Sequence, residues 1–589
     1  MNQLITRYGK NIGPNKVLQE YPRPQLKRDS YINLNGYWDF SISDKEICDK
    51  YDERILVPFS PESILSGVNK TLLPGMYAHY RKEIILNSDF IKDLVILHFG
   101  AVDQITDLYI NNNFVLKHVG GYVPFSVDIT DYIDDSLKLE IRLKVSDTTD
   151  TSYHLYGKQR LVHEGIFYTP QSGIWQTVWM ESVKKDYFKD ISIYPLFDES
   201  MIYIKLETDF LGEYEIRVFD NDNNLVKKRS TNDLINLIKL DGFTPWTPEN
   251  PYLYYLEIES ESDSIKTYVG MRIFERKLDD SGIMRFYLNH KPYFQSGVLD
   301  QGYFSDGLLT APSDQAMIDD ILVMKKLGFN MLRKHIKIEP LRWYYHCDRL
   351  GMLVWQDMLS GCEHKNVVFH HVLSIFHIHL NDRFKRLFGR NSAEGKKLYE
   401  KDLEIMLNYL KNVTSLCVWV PFNEAWGQFD TLRILEKVRT YDKHRLIDHA
   451  SGWSDHGGGD FYSRHIYYQG IKFKKRLAKK RIAALTEFGG FSYPVEGHRY
   501  NDEIIFGYKT FDDLSKFQKA IEVLYKDKIF SNLNKGLSVL VYTQLSDVED
   551  EVNGFLTYDR EVLKVDESMV KALNDFIYDS FKKIVTQKK

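Results

Sequence analysis

Near Lys277 the hydrophobic rhythm of this chain changes, and that change limits the available folds more than any other feature. After it, short apolar β-rich runs alternate with helix-period segments. Strands are predicted at 292–298, 330–334, 352–356, 416–421, 445–450, 465–467, 482–486 and 537–542. Helices are predicted at 313–327, opened by Pro312-Ser313, at 340–350, 430–440 and 568–583, with a long helical stretch after the third strand. Strands that each need a helical crossover form a parallel sheet, and this alternation over 278–589 predicts a (β/α)8 TIM barrel.

The residues before Lys277 show no such alternation. Runs such as Leu94-Val-Ile-Leu-His-Phe99 and Leu137-Lys-Leu-Glu-Ile-Arg-Leu143, with turns at Asn111-Asn-Asn113 and Gly120-Gly121, predict an all-β jelly-roll sandwich over 1–184. A second β rhythm follows over 185–277, with runs such as Met201-Ile-Tyr-Ile-Lys-Leu206 and the turn Asp220-Asn-Asp-Asn-Asn224. It fits one immunoglobulin-like sandwich.

The 589 residues carry a net charge of −5 with both signs interspersed, which argues against a nucleic-acid partner. The basic run from Lys472 to Arg481 reads as the solvated face of a short helix leading into a strand. No run approaches membrane-spanning length, and residues 1–21 carry charges throughout with no apolar leader core. The four cysteines, Cys48, Cys347, Cys362 and Cys417, lie far apart, so free thiols and a cytoplasmic location are expected. The 39 tyrosines and 9 tryptophans permit sugar stacking but also suit sandwich cores.

Catalytic residues of such a barrel lie at the C-terminal ends of its strands. Leu416-Cys-Val-Trp-Val-Pro-Phe-Asn-Glu424 places Asn423 and Glu424 at one strand end, and Ala483-Ala-Leu-Thr-Glu487 places Glu487 at another. Two glutamates across one barrel mouth are the equipment of glycoside hydrolysis, one carboxyl protonating the leaving oxygen and the other attacking the anomeric carbon.

From Pro22 to about Arg560 the chain resembles glycoside hydrolase family two, the β-galactosidase/β-glucuronidase/β-mannosidase family. The resemblance rests on Leu34-Asn-Gly-Tyr-Trp-Asp-Phe40, Ser172-Gly-Ile-Trp-Gln-Thr-Val-Trp179, Asn423-Glu424 and Thr486-Glu-Phe-Gly-Gly490. It implies jelly roll, immunoglobulin-like sandwich and barrel in that order, with Glu424 as acid/base, Glu487 as nucleophile and Asn423 on the sugar 2-hydroxyl. It also implies that Arg333 lies under the nucleophile and lowers its pKa, that His335 faces the sugar, and that His465 and Tyr467 lie near the nucleophile. Asp300-Gln301, Trp355-Gln-Asp357 and Tyr542-Thr-Gln544 are expected as pocket walls.

The expected activity is that of a retaining exo-β-glycosidase without cofactor or metal, acting on an oligosaccharide or small glycoside, with homo-oligomerisation left open. The glycone is less constrained. An Asn-x-Lys pair that holds the uronate in family β-glucuronidases has no match in Thr543-Gln-Leu-Ser-Asp-Val-Glu-Asp-Glu-Val-Asn-Gly554. The acidic residues Asp547, Glu549, Asp550 and Glu551 would repel an anionic sugar if they faced the pocket, so a neutral β-galactoside leads. The alternatives are a β-glucuronide or β-galacturonide, its carboxylate held by Arg333 or Lys334, and a catalytically silent carbohydrate-binding protein. The Cys362, His364, His370, His371, His377 and His379 segment lacks metal-ligand spacing, and Gly457-Gly-Gly459 lacks the Lys-Ser/Thr of a phosphate loop.

Overall fold

The computed structural model describes residues 4–363, 369–370, 372–373, 380–468 and 470–586. The first β domain is a sandwich. One sheet has six strands, in the order Glu53–Val57, Gly36–Ser43, Tyr77–Ile85, Lys138–Ser146, Ile105–Ile110 and Asn113–Val119. The facing sheet has four: Tyr31–Asn33, Val178–Val183, Leu94–Phe99 and Phe125–Asp128. Strand period explains the core. Along Lys138–Ser146 the residues Leu139, Ile141, Leu143 and Val145 are buried while their neighbours are not, and they meet Trp38, Phe40, Tyr80 and Phe99.

The next β unit packs a three-stranded sheet (Phe188–Leu196, Met201–Thr208, Ile235–Lys239) on a four-stranded one (Leu225–Thr231, Tyr214–Phe219, Tyr254–Glu259, Ser264–Val269). Ile202, Ile204 and Leu206 alternate into its core. A small sheet of Phe274–Leu278, Met284–Leu288 and Lys291–Pro292 then leads into the barrel.

The barrel contains eight parallel strands: β1 (Gln295–Asp300), β2 (Met331–Lys334), β3 (Leu353–Asp357), β4 (Leu416–Val420), β5 (Leu446–Ile447), β6 (Phe461–Ile466), β7 (Ile482–Gly489) and β8 (Leu537–Thr543). Almost every residue in them is buried, as expected of a sheet covered on both faces. Leu299, Met331, Leu353, Trp355, Val418, Phe461, Ala484, Val539 and Val541 fill the interior. Their strand neighbours Val298, Leu332, Val354, Trp419, Leu485, Leu540 and Tyr542 face the helix layer.

The strand ladder runs β5-β4-β3-β2-β1-β8-β7-β6 and leaves a seam between β5 and β6. Asp460 bridges it: its N–H donates to the Ile447 carbonyl (2.8 Å), and its carboxylate accepts the Ile447 N–H (2.8 Å). β5 is thus shorter than the run predicted at 445–450, and β6 begins earlier than predicted. The basic run does lead through a short helix, Lys475–Ala478, into β7, with its lysines exposed.

A loop of the first domain, residues 154–169, lies over the barrel mouth. Gly361 donates its N–H to the Tyr156 carbonyl (3.0 Å), and the Tyr156 hydroxyl donates to the Cys362 carbonyl (3.0 Å). Thr169 donates its N–H to Glu549 (2.9 Å). Among the described residues no helix is long and apolar enough to cross a membrane. Of the His/Cys-rich segment, Cys362 is buried and His370 contacts the Leu387 carbonyl (3.0 Å). His364, His371, His377 and His379 lie outside the described residues.

Candidate active site

Strand parity decides what reaches the mouth. β2 ends with Arg333 pointing inward and Lys334 outward. The Arg333 guanidinium forks onto Asp357 at the end of β3, Nε to Oδ1 and Nη2 to Oδ2, both 3.0 Å. Nη2 also donates to Asn423 Oδ1 (2.8 Å), and Nη1 to the Thr486 carbonyl (3.0 Å) and Glu487 Oε1 (3.3 Å). One planar fork thereby ties four strand ends together, which a point-charge lysine could not do. Asp357 also binds His335 Nδ1 (2.7 Å).

After β4 the chain passes Pro421 and pairs Asn423 with Ser451 before turning. Glu424 donates its N–H to the Ser451 carbonyl (3.0 Å) and has φ +51°, and Ala425 has φ +63°. Side-chain-bearing residues rarely adopt this left-handed region, and such strain concentrates at functional sites. The turn brings Glu424 Oε1 within 2.7 Å of His465 Nδ1. Asn423 Nδ2 is buried with no partner among the described residues, leaving its donor for a ligand hydroxyl.

β7 breaks register between Leu485 and Phe488, so Thr486 and Glu487 both serve the mouth. Strand irregularities re-aim side chains in this way. Glu487 Oε2 accepts from the Tyr467 hydroxyl (2.7 Å) and lies 3.3 Å from His465 Nδ1. One oxygen each of Glu424 and Glu487 and one nitrogen of His465 all lie within 4.8 Å of one another.

His465 is the hinge of the arrangement. Its Nε2 faces Arg333 Nη1 (3.4 Å), which can only donate, so the neutral ring carries its proton on Nδ1, toward both glutamates. Burial pushes its pKa down to about 4, so it is neutral near pH 7. Gly452, at φ +83°, lies against this ring; a Cβ there would come within 2.5 Å of the imidazole.

For Glu487 the expected pull of Arg333 is present, but it does not set the net direction. Burial pushes its carboxyl up, and the Glu424 charge adds to that; His465, Arg333 and the Tyr467 hydroxyl pull down without reversing it. Arg333 acts in the expected direction, yet desolvation is the larger effect.

The structure brings Asn423, Glu424, Arg333, His465, Tyr467 and Glu487 together, with His335 joined through Asp357. It does not place Asp300, Trp355 or Tyr542 as pocket walls. Asp300 faces outward and binds Lys334 Nζ (2.7 Å). Trp355 points inward but one layer too deep, its indole donating to Gln295 Oε1 (2.6 Å) and packed on Phe461. Tyr542 faces the helix layer and stacks on Phe555, whereas its neighbour Thr543 meets the Tyr467 hydroxyl at 3.0 Å. Thr543 lies in a segment expected at the pocket wall; the sequence reading missed the full role of Asp357, and Tyr508, whose ring stacks on Tyr467 with centroids 3.5 Å apart. Asp357 carried a signal, as the polar end of Trp355-Gln-Asp357, whereas Tyr508 carried none.

Nor do the acidic residues 547–551 present a row of free charge. Asp547 pairs with Lys564 (2.6 Å), and Asp550 accepts the Gly165 N–H (3.4 Å). Glu549 caps the Thr169 N–H, with burial raising its pKa to about 8. Glu551 accepts from the Tyr168 hydroxyl and from Asn553 Nδ2 (2.9 Å).

Comparison with known proteins agrees with the order of the three domains. The chain matches the profiles "Glycosyl hydrolases family 2, sugar binding domain" over 50–171, "Glycosyl hydrolases family 2" over 187–272, and "Glycosyl hydrolases family 2, TIM barrel domain" over 280–481. It belongs to glycosyl hydrolase family 2. It is 26% identical over 496 residues to a protein named β-galactosidase from Thermoanaerobacter pseudethanolicus, covering 79% of this chain and 62% of that one. A protein named β-glucuronidase from Streptococcus agalactiae is 24% identical over 424 residues, covering 69% of this chain and 68% of that one. The chain thus spans less than two thirds of the first of these relatives. Its fold is shared with a β-glucuronidase of an uncultured Clostridium species, at a TM-score of 0.74 and 16% identity, covering 95% and 99% of the two chains.

Proposed function

We propose that this protein is a retaining exo-β-glycosidase in which Glu487 attacks the anomeric carbon and Glu424 donates and then accepts the proton. The observation that carries this reading is the approach of the two carboxylates, oxygen to oxygen within 4.8 Å at the barrel mouth. Retaining enzymes need carboxyl groups about 5–5.5 Å apart, whereas inverting ones leave about 6.5–9.5 Å for an interposed water.

In the first step Glu487 forms a bond to the anomeric carbon while the proton of Glu424 passes to the departing oxygen. Arg333 and the Tyr467 hydroxyl hold the attacking carboxylate ionised and oriented against the pull of burial. Esterification removes the Glu487 charge. Glu424 then takes a proton from water, which attacks the anomeric carbon from the face the aglycone left; the bond to Glu487 breaks, which restores its carboxylate and the β-configuration. The unpaired Asn423 amide donor is placed for the sugar 2-hydroxyl. A divalent metal between Glu424, His465 and Glu487 is disfavoured, because the Arg333 guanidinium already lies 3.3 Å from Glu487 and 3.4 Å from His465.

Two glycones fit. A β-galactoside takes its support from the Thermoanaerobacter relative. A β-hexuronide takes its support from the Streptococcus relative and from the engagement of residues 547–551, which removes the expected repulsion. A panel of nitrophenyl β-galactoside, β-glucuronide, β-galacturonide and β-mannoside, with the first-formed anomer followed by proton NMR, tests the proposal. The expected product is the β-anomer; an α-anomer formed first overturns it.

A further inference from the structure

We infer that Lys158, supplied by the first domain rather than the barrel, recognises a carboxylate on the glycone; this deepens the glycosidase reading and rests on it. The loop that carries Lys158 sits directly on the strand ends. A Cβ on Gly157 would lie 3.1 Å from the carbonyl oxygen of Ile336, the residue after His335. A Cβ on Gly361, beyond β3, would lie 2.3 Å from Leu155 Cα. The loop backbone is fixed: Tyr168 donates its N–H to the Lys158 carbonyl (3.0 Å), and Arg160 donates to the Tyr168 carbonyl (3.0 Å). Gln159 Oε1 accepts from the Gly157 N–H and the Tyr122 hydroxyl, both 3.0 Å.

On this rigid support Lys158 is 8% exposed, and its ammonium makes no hydrogen bond among the described residues. Its nearest carboxylate oxygen, Glu551 Oε2, is 3.9 Å away and already accepts from the Tyr168 hydroxyl. The other buried cations near the mouth are different. Arg333 engages all its donors, and Lys334 and Lys337 are held by Asp300, Glu339 and backbone carbonyls. That excludes Arg333 and Lys334 as uronate ligands. Glu551, the carboxylate beside this ammonium, lies in the segment that follows β8, on the mouth side of the barrel.

A nearly buried ammonium with unused donors is stabilised by an incoming anion and left desolvated by a neutral sugar. Its placement on a fixed loop reduces the entropy lost on binding. The ligand class is therefore a β-linked hexuronic acid.

The test compares kcat/KM for nitrophenyl β-glucuronide and β-galacturonide with that for β-glucoside and β-galactoside, in wild type, Lys158→Met and Lys158→Arg. Wild type is expected to prefer a uronide over its neutral counterpart. In Lys158→Met that preference falls about hundredfold, chiefly through KM, and Lys158→Arg recovers part of it. Free galacturonate inhibits wild type more strongly than galactose, and Lys158→Met erases the difference. Wild-type preference for neutral sugars overturns the inference, as does an equal loss for both classes in Lys158→Met. If neutral glycosides are cleaved in a Glu487-dependent manner while the ratio ignores Lys158, this inference alone falls. If no glycoside in the panel is cleaved, the glycosidase reading falls with it.

Discussion

Arg333 and Lys334 are consecutive on β2, both buried and both cationic, yet they belong to opposite sides of the barrel wall. Inside, Arg333 joins Asp357, Asn423, Thr486 and Glu487. Outside, Lys334 joins Asp300 (2.7 Å) and Glu339 (2.8 Å) under the Trp343 ring, and Lys337 closes the set on Glu339 (2.7 Å) and two carbonyls. The outer network is closed and stabilises the wall. The inner one ends on Glu487 and the unpaired Asn423 amide, so it is complete only with a ligand. Similar buried charge is closed on one side and left open to a ligand on the other, and the difference lies in whether the last donor has a protein partner.

The sharpest way to break this contrast is Glu487→Gln. Turnover is expected to fall by at least about 10⁴-fold, because the covalent step loses its attacking charge. The Tm should rise at pH 8. Burial raises the folded pKa of Glu487, so its ionised form disfavours the fold as pH rises through that value, and glutamine removes the effect. Calorimetry and a progress curve read the two together; an unchanged rate refutes the nucleophile assignment.

Glu424→Ala should slow alkyl glycosides about 10²–10⁴-fold and nitrophenyl glycosides far less, since nitrophenolate departs without a proton. Azide should rescue Glu424→Ala as the β-glycosyl azide and Glu487→Ala as the α-azide. The opposite pair of anomers would mean that the two roles are reversed.

The two neighbours on β2 separate next. Arg333→Lys keeps the charge but loses the fork, and is expected to cost about 10²-fold in kcat/KM with the fold intact. Lys334→Met leaves Asp300 without its cation and Glu339 with Lys337 alone, and should cost about 3 kcal/mol of stability. Its kcat/KM, measured well below the unfolding midpoint, should change less than about threefold. Equal kinetic damage from both would erase the distinction between the networks.

The smallest expected effect is that of Tyr467→Phe. The hydroxyl stabilises ionised Glu487, so its loss raises that pKa further and moves the acidic limb of kcat/KM to higher pH, by about half to one unit. A limb that stays still, or moves down, argues against the contact.

Much of this was legible in the sequence, for reasons visible in particular residues. Glu424 and Glu487 stand at the ends of apolar runs whose length and punctuation mark barrel strands. Parity was not legible, because strands buried on both faces show no alternation; hence Trp355 and Tyr542 looked like pocket residues. The short β5 escaped because a side chain of Asp460 replaces a strand neighbour, which no periodicity reports. Lys158 carried no signal at all, since it reaches the mouth from another domain.

That substitution at the β5–β6 seam has a kinetic consequence. A continuous ladder opens only by breaking many amide bonds in concert, whereas here one aspartate holds the junction through its own N–H and its carboxylate. Asp460 is also gripped by Arg276 (3.2 Å) and Arg439 (3.5 Å), so the closure depends on a side-chain cluster. The Ile447 amide should exchange with deuterium well ahead of those in β1 and β8, since local openings follow the weakest bonded unit. The segment between β5 and β6 includes Ser451 and Gly452, which position Glu424 and His465. Opening of the seam would therefore displace Ser451 and Gly452 and, with them, the supports of Glu424 and His465.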